Sequence, residues 1–322
     1  MTAHVPPAVA QFVAGRNRMS YRSEGDLLAA DLYLPPAYEA GRRYPTIVIA
    51  RPATGVKEQT AGLYAERLAA KGFATLAFDA RGFGGSEGRR FVEDPARIVV
   101  DIRRSIDFLE TLPVVDRRNL FSAGVCMGAS YAPCEAVDDG RVKAVASITP
   151  YLTMHVDYPA LFGGRTITLA MATVTDLVVR ACAGIGLQLY SFAVPPNRFL
   201  ARLPCTLPIA AGMRAYYPEG QPGYRPTWRN RLNLASQLPM IRYNPFEFAA
   251  RVEKPYYMAY GLKGYSPDQL QRFFDEVRTP AADKQLRVVD GTHFEMYYQP
   301  RFVDPIVDDV AAFFGRYVTT RT

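Results

Sequence analysis

Between residues 44 and 150 the chain alternates short, almost wholly apolar runs with helical stretches, and this alternation restricts the fold more than any other feature. The runs YPTIVIA, FATLAFD, NLFSAGV and VKAVASI show no polar/apolar alternation, which suits strands buried on both faces of a sheet. Between them, GVKEQTAGLYAERLAAKG has helical periodicity and stops on Gly72. A second helix is expected from about Pro95 to Leu112, with the proline in its first turn. An earlier strand, LLAADLYLP, precedes the series. Strand–helix repetition of this kind implies an α/β fold with a doubly wound, mostly parallel sheet.

The pattern breaks at about Tyr151. Up to about Ala250 the chain has apolar helical stretches, a proline-rich segment and the aromatic-rich RAYYPEGQPGYRPTW. Alternation then returns with the strand PYYMAYG, a helix near SPDQLQRFFDEV, the strand KQLRVVD and a last helix, PIVDDVAAFFGRYV. The sheet needs these late strands. Residues 1–150 and 251–322 are therefore read as two parts of one core, with 151–250 inserted as a cap; a separate domain at 151–250 is the alternative.

Of the 322 residues, 49% are hydrophobic and 21% charged, enough apolar material for a large core. The net charge is +7, but the arginines are scattered and no helix carries a basic stripe, which argues against nucleic acid. Anionic small molecules remain compatible with that charge. The four cysteines form no CxxC pair, and with three histidines they argue against a metal site. The least polar stretch, about 167–194, contains Asp176, Arg180 and Gln188 and is interrupted by glycines, so no membrane span is expected. MTAHVPPAVAQF lacks the pattern of a signal peptide. A cytoplasmic, reduced protein is the expectation.

The strand NLFSAGV runs directly into GVCMGASYA. Glycine, any residue, a nucleophile, any residue and glycine, placed between strand and helix, make the nucleophile elbow of α/β hydrolases. Serine is usual at its centre; here it is Cys126. Gly124 and Gly128 permit the close strand–helix approach, and the helix N-terminus favours a thiolate. That reasoning expects Cys126 to be the most reactive thiol, with Cys134, Cys182 and Cys205 raised by apolar surroundings. The alternative is a buried structural cysteine. In VVDGTHFEMY, His293 follows the last strand, where a base able to take the thiol proton belongs. His4 lies near the terminus and His155 at the rim of the cleft or under the cap. Oxyanion-hole donors are expected from the Met127 backbone N–H and from Ala53 or Thr54 in ARPATG. DARGFGGSEG has the wrong spacing for a dinucleotide fingerprint, and no cofactor is expected.

Together, ATGVKEQTAGLYAERLAAKGFATLAFDARGFGGSEG, GVCMGASYA with DDGRVKAVASITPYL, and DGTHFEMY resemble the dienelactone-hydrolase-related α/β hydrolases, a branch akin to fungal polyketide transferases. The resemblance runs from about residue 20 through nearly the whole chain. It implies acyl chemistry on an ester, lactone or thioester without cofactor or metal, and carries over Cys126 and His293 as nucleophile and base. One departure stands out. The loop that bears the triad acid in such enzymes reads YGLKGYSPDQ here, with Gly264 in the slot where an aspartate is expected; Asp268 and Asp157 are the remaining candidates. A cap rich in tyrosine, phenylalanine, leucine and methionine points to a hydrophobic small-molecule substrate. Two other functions remain compatible with the sequence: elimination or rearrangement with His293 as base, and non-catalytic binding on this scaffold.

Overall fold

Apolar runs too continuous for a one-sided strand end up in the middle of a single sheet. The computed structural model describes residues 12–161, 163–194 and 210–320. The first strands are β1 (Gly15–Ser23), β2 (Asp26–Leu34), β3 (Tyr44–Ala50), β4 (Ala74–Phe78), β5 (Val115–Val125) and β6 (Val142–Ile148). After β7 (Tyr190–Ser191) and β8 (Leu232–Asn233), which pair only with each other, come β9 (Tyr256–Gly261) and β10 (Lys284–Val289). Eight strands form the sheet in the order β1-β2-β4-β3-β5-β6-β9-β10. From β4 to β10 every pairing is parallel; β1 and β2 add an antiparallel edge.

The parallel crossovers require helices. These are α1 (Thr60–Ala69), α2 (Pro95–Thr111) and α3 (Gly128–Asp138). Asp94 caps α2, its carboxylate accepting the Arg97 N–H at 3.4 Å, ahead of Pro95. Between β6 and β9 lie α4 (Met154–Leu161), α5 (Arg165–Gly184), α6 (Ala210–Tyr216), α7 (Gln237–Arg242) and α8 (Phe246–Ala249). The fold closes with α9 (Pro267–Glu276), α10 (Glu295–Tyr298) and α11 (Pro300–Gly315). Helix α1 packs with α11, and α2 with α3, so that the sheet is flanked by helices.

Strand β1 was not expected from its sequence. Most of its residues are exposed or half-buried, as on a sheet edge, so no continuous apolar run marks it. Its signal is the two-residue hairpin Glu24–Gly25, both residues at positive φ.

The inserted segment is pinned to the core by specific hydrogen bonds. The Glu93 N–H donates to Ser236 Oγ at 2.9 Å, the Gln59 amide to the Gly223 carbonyl at 2.7 Å, and the Tyr243 hydroxyl to the Ser130 carbonyl at 3.0 Å. Glycines do end the apolar stretch near 167–194, but the part before them is longer than expected. Glycines 163, 164, 184 and 186 flank or end α5, which runs unbroken for 20 residues and is long and apolar enough by composition to cross a membrane. It packs on α4 and α7 as part of the cap, with Ile167, Met171, Val174 and Leu177 facing outward. Cys205 and His4 lie outside the described residues.

The tightest backbone crossing lies between β3, β5 and α3. A Cβ built on Gly128 would stand 2.4 Å from the Ala50 carbonyl oxygen, whereas one on Gly140 would meet nothing within 4 Å. Gly128→Ala should therefore lose about 3 kcal/mol or more of stability through forced backbone movement, with Gly140→Ala close to wild type in the same thermal melts. Equal melting temperatures would contradict this packing account.

Candidate active site

Strand β5 ends at Val125 and α3 begins at Gly128, which leaves Cys126 and Met127 to make the whole turn. Cys126 does so at φ +58°, a left-handed conformation that costs a side-chain-bearing residue roughly 1–3 kcal/mol. Its neighbours hold it there. Its N–H donates to the Ile148 carbonyl at 3.1 Å, at the end of β6, and its carbonyl accepts the Tyr151 N–H at 3.1 Å. A Cβ on Gly124 would lie 2.0 Å from the Gly128 carbonyl oxygen, so the elbow closes only with glycine at that point. The sulfur is thereby placed at the carboxyl ends of the strands, where open α/β sheets carry their sites.

Two backbone N–H groups, of Ala53 and Met127, act on the Cys126 thiol and lower its pKa. Met127 is there because it opens the turn into α3. Ala53 is there because of a buried ion pair that sequence reading missed. Arg51 donates through Nη1 to both Glu93 oxygens, at 3.2 and 2.9 Å, and to the Pro52 carbonyl at 2.8 Å. Glu93 also accepts the Thr54 N–H at 3.0 Å and the Tyr131 hydroxyl at 3.2 Å. Neither charged side chain is exposed. Removing one member of such a pair strands the other's charge in the core, so loop 51–54 is locked. Of the two candidates Ala53 and Thr54, the Thr54 N–H is taken by Glu93, whereas the Ala53 N–H acts on the Cys126 thiol.

His293 sits two residues beyond Gly291, in a segment set by a reciprocal pair. The Thr292 N–H donates to Glu295 Oε2 at 2.8 Å, and the Glu295 N–H to Thr292 Oγ1 at 3.3 Å. The imidazole is buried between the rings of Tyr265, Phe294 and Tyr297. Its Nδ1 lies 2.9 Å from Thr149 Oγ1 and its Nε2 3.2 Å from the Tyr297 hydroxyl. Thr149, at φ +41°, follows β6, and its N–H is fixed by the Ala259 carbonyl at 2.7 Å. The threonine proton has a second acceptor in the His293 carbonyl, at 3.4 Å. With the proton there, Oγ1 accepts Nδ1–H and the Nε2 lone pair faces Tyr297, a tautomer assigned from the network.

Among the described residues no carboxylate hydrogen-bonds His293. Asp268 is exposed in the first turn of α9, and the structure does not bring it to the imidazole. Asp157 accepts from the Tyr151 hydroxyl at 3.0 Å and from the Thr153 hydroxyl. The Gly264 slot does lie beside the histidine's backbone, since a Cβ there would be 3.7 Å from the His293 main-chain nitrogen. But that Cβ would also be 2.8 Å from the Gly261 carbonyl oxygen, which accepts the Gly264 N–H at 2.9 Å. The tight turn excludes an acid side chain at this position. Thr149 holds Nδ1 in its place.

The thiol differs from expectation. Burial pushes the Cys126 pKa up to about 11, and this outweighs the hydrogen bonds from Tyr297, Met127 and Ala53 that lower it. Cys126 is 5% exposed, whereas Cys134 and Cys182 are partly accessible. A small alkylating agent is therefore no longer expected to single out Cys126; an acyl compound that fits the site is the better probe. His155, on α4 of the inserted segment, is buried against Phe246. Tyr217 stacks on Trp228 with centroids 5.0 Å apart, and Tyr216 meets Tyr297 edge-on at 5.0 Å, so cap rings cover the histidine and its partners. All three cap rings are buried, and truncating them should cost stability as well as altering the site.

Burial also lowers the His293 pKa to about 3. The unfolded chain, with an ordinary histidine value near 6.5, binds this proton more readily than the fold does. Folding stability should therefore decline as pH falls below about 6.5 and stop losing this contribution near the folded value. Imidazole 15N NMR at pH 5 should show a neutral His293 ring protonated at Nδ1. A His293 titration near pH 6.5 would contradict the buried placement.

Residues 57–190 match the family described as serine aminopeptidase, S33. The uncharacterized protein YcjY of Escherichia coli K12 is 29% identical over 317 residues, covering 92% of this chain and 98% of that protein. A thiohydrolase of Eupenicillium brefeldianum is 26% identical over 220 residues, covering 67% of this chain and 68% of that one. The crystal structure of the hypothetical protein PA2218 from Pseudomonas aeruginosa matches with a TM-score of 0.78 at 25% identity, covering 99% of this chain and all of that one. With its mostly parallel sheet, flanking helices and strand-to-helix elbow, the chain has the α/β-hydrolase fold.

Proposed function

We propose that this enzyme works through a cysteinyl acyl-enzyme, with Cys126 as nucleophile and His293 as base, on an ester, lactone or thioester of a hydrophobic small molecule. The observation that carries the reading is a cysteine held at φ +58° in the turn between β5 and α3, with the Ala53 and Met127 N–H groups acting on its thiol. A structural cysteine has no use for two backbone donors at its sulfur. An acyl-enzyme does, because the carbonyl oxygen becomes an anion when sulfur adds to it.

In this mechanism the thiol proton passes to neutral His293 as sulfur attacks the acyl carbon. The tetrahedral oxyanion accepts from Ala53 and Met127, and the imidazolium protonates the departing alcohol or thiol. Water or a second nucleophile then resolves the thioester. Tyr265, Phe294 and Tyr297 pack around the base and Tyr217 against Phe294, a setting that suits an apolar acyl group. The thiohydrolase relative supports thioesters within this class by its name.

Thr149 in place of a carboxylate has a kinetic consequence. Losing the aspartate of a serine triad costs about 10⁴ in rate, but a thiol depends less on that acid. Acylation is therefore feasible, while deacylation by water, which needs a strongly oriented base, lags. The balance favours transfer to a nucleophile better than water.

With a p-nitrophenyl ester the enzyme should release a burst of nitrophenolate followed by a slow steady state. Intact-protein mass spectrometry should show one acyl group, mapped to Cys126 and lost in Cys126→Ala. Product formation without any adduct would instead support chemistry by His293 alone. In the same assay His293→Ala should abolish turnover, and Asp268→Asn should change it by less than about tenfold, well below a serine triad's loss. A collapse in Asp268→Asn would show that this carboxylate serves the base after all.

A further inference from the structure

We infer that a cavity on the seam between cap and core binds a small molecule carrying a phosphate monoester. The inference is independent of the roles proposed for Cys126 and His293, neither of which lines this cavity. It measures about 380 Å³, within the range of small-ligand sites. The core contributes Arg81, Arg89 and the start of α2, and the inserted segment contributes α5 and α7.

Five arginines line the cavity, and two of them are already neutralised. Buried Arg81 donates to Asp101 at 2.6 Å and to Glu24 at 3.1 Å. Arg180 donates to Asp176, one turn earlier on α5, at 2.7 Å. Among the described residues, the guanidinium groups of Arg89, Arg97 and Arg242 have no ion-pair or hydrogen-bond partner. One carboxylate remains to face the three, that of Asp94, the residue that caps α2. Two positive charges are left over around one small space, and like charges held together repel unless an anion shares them. A phosphate monoester carries about −1.5 to −2 at neutral pH, and its oxygens match the planar fork of arginine. The amino end of the 17-residue α2 adds its partial positive charge. Val92, Ala235 and Leu238 supply an apolar wall for the organic part of the ligand, which a free phosphate ion would leave uncovered.

The cavity also adjoins the buried charge pair. Val92 and Asp94 flank Glu93, whose carboxylate holds Arg51 and the Thr54 N–H. Ala235 precedes Ser236, which accepts the Glu93 N–H. A ligand bridging α2 with α5 and α7 therefore holds the cap against the segment that locks loop 51–54.

The test is calorimetry on the full-length protein with phenyl phosphate, inorganic phosphate and benzenesulfonate, at about 150 mM salt to screen diffuse attraction. One phenyl phosphate should bind per chain, at least about tenfold more tightly than either other anion. Arg97→Gln and Arg242→Gln, both at exposed positions, should each weaken it by about tenfold or more, as expected for a lost charge-assisted hydrogen bond. Arg18→Gln, which removes an equally exposed arginine from β1, should leave binding unchanged. No saturation by about 10 mM phenyl phosphate, far weaker than a specific site gives, overturns the proposal. So does equal binding of benzenesulfonate or inorganic phosphate, or a loss in Arg18→Gln as large as in the two cavity variants.

Discussion

Everything in the site depends on how closely β5, α3 and β3 approach one another. With Gly124 and Gly128 in contact with opposing backbone, no side chain separates strand from helix. That approach forces Cys126 into a left-handed conformation and aims its sulfur at the ends of the parallel strands. It also sets the Met127 N–H beside that sulfur, while the locked Arg51–Glu93 pair brings in the Ala53 N–H from the neighbouring loop. The two N–H groups proposed to hold an oxyanion are thus products of backbone packing and one buried charge pair, and require no specialised side chain at either position.

The second constraint is dryness. Cap and core rings enclose both the thiol and the imidazole, and enclosure raises the one pKa and lowers the other. A charged thiolate–imidazolium pair is therefore not the resting state. Without a carboxylate on His293, little would stabilise an imidazolium for long, and the site instead offers hydroxyl groups at both ring nitrogens. The Gly261–Gly264 turn explains why the acid could not simply be present: its backbone is folded too tightly to carry a side chain.

The core was legible in the sequence wherever burial was two-sided. YPTIVIA and VKAVASI appear as β3 and β6 because continuous apolar runs have few other uses at that length. Strand β1 was not legible, since an edge strand looks like a polar loop. At the site, Cys126 and Met127 could be placed because the elbow is a local pattern, and His293 because it follows a strand directly. Arg51, Glu93 and Thr149 could not be found, because each acts through a partner distant in sequence. Tyr297 could not be found either, because its contact with His293 depends on the turn that leads into α10. The shift expected at the thiol had the wrong sign, because a helix terminus is visible in sequence and the enclosure of a side chain by a distant cap is not.

The central claim is that the pocket formed by the Ala53 and Met127 N–H groups is built for an acyl oxygen on Cys126. A crystal structure of the enzyme trapped with a slowly deacylating ester measures this directly. The account predicts continuous density from Cys126 Sγ to the acyl carbon, with the carbonyl oxygen about 3 Å from both nitrogens. An acyl group on any other residue, or a Cys126 adduct whose oxygen points away from both donors, would contradict it.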